Sequence, residues 1–175
     1  MRKSLAAILV SAFLLLPVTT AEAQVMDRAQ YGPQVGAQFS PDAFTIGAAI
    51  IFYQLIESLP ELGIGGDFHY GFGSEGNFDF STITIGILAY YAFLVATNAY
   101  LMPLAGLQFY RFNYSDCDNI FGISCDFTDT ALALGAALLY QQFLFRAILG
   151  LGGANDFGLT VGYMFGNGRP ASSQM

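Results

Sequence analysis

Charge is scarce in this chain. Only 11% of its 175 residues are Asp, Glu, Lys or Arg, while 54% are apolar, against roughly a quarter charged in a soluble domain. Apolar surface on that scale needs lipid, or a very large core. Basic residues are fewest: Lys and Arg together number 6, and Lys3 is the one lysine. With no basic patch, nucleic acid and anionic membrane surfaces are poor partners. One histidine, His69, and two cysteines exclude a His-rich metal cluster. No catalytic motif occurs, and no cofactor is expected.

What is present begins with a leader. Arg2 and Lys3 form a positive region, Leu5 to Val18 is apolar, and Ala21-Glu22-Ala23 is a small-x-small cleavage box. This pattern predicts a secretory signal peptide over 1–23, cut before Gln24. Loss of Arg2, Lys3 and Glu22 leaves 152 residues with four arginines, twelve acids and a net charge near −8. That length suggests a single domain.

The mature chain alternates with a period of two. From Leu62, the residues Leu62, Ile64, Gly66, Phe68, Tyr70 and Phe72 face one way, and Gly63, Gly65, Asp67, His69 and Gly71 the other. A strand sends successive side chains to opposite faces, so one face is apolar and the other small or polar. After Gly73-Ser74-Glu75-Gly76-Asn77 the period returns, with Ile83, Ile85, Ile87, Ala89, Tyr91 and Phe93 opposing Thr82, Thr84, Gly86, Leu88 and Tyr90. Two such strands around a polar glycine loop predict a β-hairpin. Similar segments follow a short lead at 24–30: Tyr31 to Phe39, Phe44 to Tyr53, Ala99 to Tyr114, Thr130 to Tyr140, Phe143 to Leu151 and Phe157 to Phe165. Pro103 is a blemish in its strand, since it lacks the amide a ladder needs. The residues after Phe165, 166–175, are a polar tail with little to order them.

Eight strands of this length match tilted membrane-spanning strands of about 9–11 residues, and an even count suits a bacterial single-chain outer-membrane barrel. The expected fold is all-β: an eight-stranded antiparallel up-and-down transmembrane β-barrel over 31–165. With both termini in the periplasm, the outer loops are Ser40–Ala43, Gly73–Asn77, Ser115–Thr128 and Gly152–Asp156. The inner turns lie near Glu57, Asn98 and Gln141. Aromatic residues near strand ends (Tyr31, Phe39, Tyr53, Phe72, Phe93, Tyr110, Tyr114, Tyr140) suggest interface girdles. The rival is a small helical inner-membrane protein, because Ile83 to Phe109 holds no charge over 27 positions, enough for a spanning helix. Pro103, Asn98, the glycines and the β-favouring Ile, Tyr, Phe and Thr argue against it.

The glycine-centred strands GIGGDFHYGFG, ITIGILAYY and LALGAALLY and the aromatic final strand FGLTVGYMF resemble the small eight-stranded outer-membrane β-barrel family, of the OmpA-like or OmpX-like kind. The resemblance spans Tyr31 to Phe165. It implies residence in the bacterial outer membrane among its lipids, and insertion by the barrel-assembly machinery, with Tyr163 and Phe165 as the aromatic positions of the C-terminal signal. In this chain Thr160 stands where that signal often has glycine, and ten residues follow Phe165.

Asp67, His69, Gln108 and Arg146 fall on the small or polar face, read as the lumen. Eight strands leave an interior just wide enough for side chains to fill. A buried arginine needs a partner, and Asp67 is the obvious acid for Arg146. A structural plug is the favoured reading over transport or proton handling. Cys117 and Cys125 share one loop of an exported chain and are expected to form a disulfide, worth roughly 2–3 kcal/mol on the chain-entropy account; a metal or redox thiol pair is the weaker alternative. Asp116, Asp118, Asp126 and Asp129 read as a solvated acidic loop rather than a calcium site.

The function expected is therefore a monomeric barrel with a structural or binding role, acting through outer loops on a ligand the sequence does not identify. A narrow pore and a lipid-modifying outer-membrane enzyme are the alternatives. The enzyme would need a serine or carboxylate poised near a histidine at the membrane face, and His69 points inward. Fold-level analogy carries most of this functional expectation.

Overall fold

The computed structural model describes residues 27–40, 42–75, 78–114, 126–152 and 156–170. The leader, Cys117 and Cys125 lie outside the described residues, as does most of the loop expected at 115–128. The strands are β1 (Ala29–Phe39), β2 (Ala43–Tyr53), β3 (Leu62–Glu75), β4 (Phe78–Tyr91), β5 (Phe93–Ala96), β6 (Ala99–Tyr114), β7 (Asp126–Tyr140), β8 (Phe143–Gly152) and β9 (Phe157–Tyr163). Every neighbouring pair is antiparallel, β9 returns to β1, and β4 and β5 both pair with β6. Since β5 continues the line of β4, the wall is a closed ring of eight strands. Closure matters energetically, because it leaves no sheet edge to hold unpaired amides in lipid. The 27-residue uncharged stretch forms β4, β5 and β6 rather than a helix, and among the described residues no helix is long and apolar enough to cross a membrane.

Pro103 finds its place at the one interruption of this wall. Pairing of β4 with β6 ends at Tyr90↔Leu104, and that of β5 with β6 begins at Phe93↔Leu101. Met102 and Pro103 thus have no partner on that side. Ala92 turns inward, and its amide bonds Glu61 O at 3.0 Å. The missing proline amide falls where the ladder has already broken.

The alternation expected from sequence sets the two faces. Outward side chains are apolar around the whole ring: Val35, Ile46, Phe68, Ile87, Leu107, Leu134, Phe145 and Leu159 are all exposed. Such a belt is stable only against hydrocarbon. Ring pairs mark its two ends, Tyr31–Phe165, Phe143–Tyr163 and Tyr91–Phe93 near the chain termini, and Phe39–Phe157 and Phe44–Phe72 at the other. Tyr53 and Tyr110 do not join the girdles. Both are buried in the lumen, because each lies on the inward phase of its strand.

The connections β2–β3, β5–β6 and β7–β8 share the end that carries the termini, and the remaining ones share the opposite, upper end. Asn98 and Gln141 turn the chain with φ of 60° and 57°, and the Gln141 amide bonds Asn98 O at 2.9 Å, tying adjacent turns together. The β2–β3 connection is longer than a compact turn, running from Gln54 to Glu61. The upper rim is uneven. β6 and β7 pair up to Asn113↔Asp126, whereas β7 and β8 stop at Ala131↔Gly152. β7 therefore begins at Asp126, inside the stretch expected as loop, and Phe127 stacks on Phe112 at 4.7 Å.

The tail departs from expectation as well. Residues 166–170 cross the terminal end of the barrel. Gly168 N bonds Ala29 O at 3.2 Å, Arg169 Nη1 bonds Asn98 Oδ1 at 3.0 Å, and Gln54 Nε2 bonds Arg169 O at 3.1 Å. Ala29, Gln54 and Asn98, spread over three strand ends, order a segment whose own composition is polar.

Candidate functional site: the barrel interior

The lumen is filled in layers. Its terminal half is mainly apolar, built from Ile51, Tyr53, Leu88, Met102, Leu139, Leu144 and Met164, all fully or almost fully buried, with Gln30 as a buried polar side chain beside Ile51. The apolar side chains form a septum across the lumen. Above it the inward residues turn polar: Gln34 and Gln38 on β1, Thr45 on β2, Asp67 and His69 on β3, Thr84 on β4, Gln108 on β6 and Arg146 on β8.

Arg146 organises the first network. Its Nη2 lies 2.6 Å from Asp67 Oδ2, with side-chain exposures of 1% and 0%. It donates to Gln34 Oε1 at 2.8 Å and Tyr90 OH at 3.1 Å, approaches His69 Nε2 at 2.9 Å, and reaches Thr160 Oγ1 at 3.4 Å. Nη2 has two protons for three acceptors. The Asp67 oxygens accept no well-aligned hydrogen bond, so the carboxylate is held by charge at contact distance while the protons go to Gln34 and His69. His69 Nε2 also stands 3.5 Å from Asp67 Oδ2, too far for a hydrogen bond of ordinary length.

Two glycines make room for this cluster. Gly86 lies across the ladder from Asp67, and a Cβ there would overlap Asp67 Oδ1. Gly47 lies across from His69, and a Cβ there would collide with the imidazole. The glycine centres of ITIGILAYY and TIGAAI are thus the recesses into which the polar residues of β3 fit.

Gln108 does not join Asp67, His69 and Arg146. It belongs to a second network higher in the lumen, where Tyr110 OH lies 2.7 Å from Gln108 Oε1 and 2.9 Å from Asp156 Oδ1. One hydroxyl proton cannot serve two oxygens. The Tyr110 hydroxyl therefore donates to one of these oxygens at a time, and burial raises the Asp156 carboxyl above its ordinary value. Asp156 reaches in from the start of β9 to touch β6 across the barrel, a bridge over the first network.

Sequence phase placed all four candidates inward but missed Gln34, Tyr90, Tyr110, Asp156 and Thr160 as their partners. Gln34 and Tyr90 were legible as inward-facing. Their meeting with Arg146 depends on the stagger of strands around the ring, which no single strand records. Among the described residues no group of three His, Cys, Asp or Glu side chains is arranged to hold a metal. At the terminal girdle, Tyr163 and Phe165 are exposed to the lipid side, their rings 5.0 Å apart. Phe165 is stitched to Tyr31 by backbone hydrogen bonds of 2.7 and 2.9 Å. Above the belt, Arg111 donates to both carboxylate oxygens of Asp126, at 3.2 and 2.6 Å.

No family model matches the chain, and no curated protein does either. Solved structures do. The N-terminal β-barrel domain of Pseudomonas aeruginosa OprF is similar at 18% identity and TM-score 0.52, over 78% of this chain and 96% of that one. Neisserial surface protein A is similar at 17% identity and TM-score 0.51, over 78% and 94%. The outer-membrane enzyme PagL is similar at 15% identity and TM-score 0.50, over 78% and 99%. Closed ring, apolar exterior, polar and filled interior, and these likenesses lead to one conclusion: the chain has the fold of the small eight-stranded outer-membrane β-barrels.

Proposed function

We propose that the protein is a non-conducting barrel of the bacterial outer membrane, exported by its leader, which acts as a structural and binding element through its upper, extracellular rim. The observation that carries this reading is the filled interior. An apolar septum lies beneath a cluster in which Asp67, Arg146, Gln34, Tyr90 and His69 pack against one another, and this arrangement supports a lumen closed to solutes. The sole histidine is engaged by Arg146 inside the lumen, away from the lipid face where a lipid-modifying enzyme would need it.

The rim is the surface that remains. Among its described residues Asp42, Asp79, Asp126 and Asp129 are exposed or half-buried, and Arg111 is already paired with Asp126. A surface of this sign favours a cationic partner and disfavours polyanions. Vesicles carrying the protein test both halves. They are expected to hold a potassium gradient as tightly as empty vesicles and to retain oligolysine, not oligoglutamate, in a salt-sensitive manner. Stepwise conductance in a planar bilayer would overturn the closed lumen, and equal retention of both peptides would overturn the acidic binding rim.

A further inference from the structure

Between the two polar networks lies a cavity of ≈ 40 Å³, lined among others by Gln38, Thr45, His69, Gln108, Arg146 and Asp156. Three of these residues carry buried polar atoms without a protein partner: Gln38 Nε2, Thr45 Oγ1 and His69 Nδ1. Each residue is more than nine-tenths buried, so bulk water does not serve them.

The proton of the imidazole can be located from its neighbour. A guanidinium has donors only, and Arg146 Nη2 is 2.9 Å from His69 Nε2. Nε2 must therefore accept, and a neutral His69 carries its proton on Nδ1. That N–H is one of the three unpartnered atoms. Gln38 Nε2 is likewise a donor, and Thr45 Oγ1 supplies a hydroxyl. Three residues that line the cavity thus carry polar groups in want of partners.

We propose that this cavity is a hydration site, in which Arg146 fixes His69 as the neutral Nδ1–H tautomer and a small cluster of water accepts from His69, Gln38 and Thr45. A water needs about 10–15 Å³ of such volume and two to four polar partners, so the cavity accommodates about three. An anion is the weaker guest. Asp67 already balances Arg146, and an added negative charge in this interior would be uncompensated. The water cluster joins the Asp156–Tyr110–Gln108 bridge above to the Arg146 network below, and the apolar septum ends it there.

Because the chain has one histidine, the test assigns itself. The barrel, labelled with ¹⁵N-histidine and held in lipid nanodiscs, is examined by imidazole nitrogen–proton correlation and by magnetisation transfer from water. The expected result is a neutral ring protonated at Nδ1, with a water cross-peak on that proton. In the Gln38→Leu/Thr45→Val double variant the cross-peak is expected to vanish while the gel mobility of the folded barrel persists. An Nε2–H ring, or an Nδ1–H with no water contact, overturns the proposal. So does a cross-peak unchanged in the double variant, or an imidazole shift on replacing gluconate by chloride, which would identify an anion.

Discussion

The Asp67–Arg146 pair makes the sharpest energetic claim in the molecule. Both side chains are essentially without solvent, 2.6 Å apart, and Arg146 also holds Gln34, Tyr90 and His69. Arg146→Met leaves the Asp67 carboxylate buried with no cation, and Asp67→Asn leaves a buried guanidinium with no anion. Breaking a buried pair from one side costs roughly 3–5 kcal/mol, because the surviving charge is uncompensated. Removing both charges leaves a neutral amide beside a thioether, and the loss is then chiefly hydrogen bonds at about 1 kcal/mol each. The double variant is therefore expected to be about as stable as either single variant, or more so, with an interaction energy of about 2 kcal/mol or above. Urea titration in lipid vesicles, read as the fraction of protein running at folded gel mobility, measures all four corners of the cycle. Additive single losses would refute the pairing.

Three further expectations concern Gly86, Asp156 and the cysteine pair. Gly86→Ala pushes a methyl into Asp67 Oδ1 and is expected to cost about 1–3 kcal/mol, as overpacking does, in the same titration. The native pKa of Asp156 is raised by burial, so the folded state holds that proton more tightly than the unfolded one. Its contribution favours folding in acid and is lost as pH rises through the native value. Asp156→Asn is expected to flatten that part of the pH–stability curve, and an unchanged curve would contradict the assignment. Mass spectrometry of unreduced protein is expected to find Cys117 joined to Cys125, with free thiols as the contrary result.

The sequence was most informative where a single strand decides the outcome. The phase of the eight long strands was readable, so Phe68 faces lipid and Asp67 faces the lumen, as a period of two requires. The partnership of Asp67 with Arg146 was also within reach, since few charges share the interior. Three things depended on the whole ring. Gln108 went to Tyr110 and Asp156 rather than to the ion pair, because the stagger of β6 against β9 sets which side chains meet. Pro103 is accommodated by the break at Ala92 on the neighbouring strand, which nothing in its own strand records. The order of Gly166–Pro170 comes from Ala29, Gln54 and Asn98 on other strand ends, so no property of the tail announced it.

The central claim is that an eight-stranded barrel closes on itself with its apolar face toward lipid. Gel mobility of boiled against unboiled protein from the membrane fraction, with circular dichroism in detergent, tests it most directly. A β-type spectrum with a heat-dependent mobility shift is the predicted result. A helical spectrum with one mobility would contradict it, and would return the uncharged stretch from Ile83 to Phe109 to the role of a spanning helix.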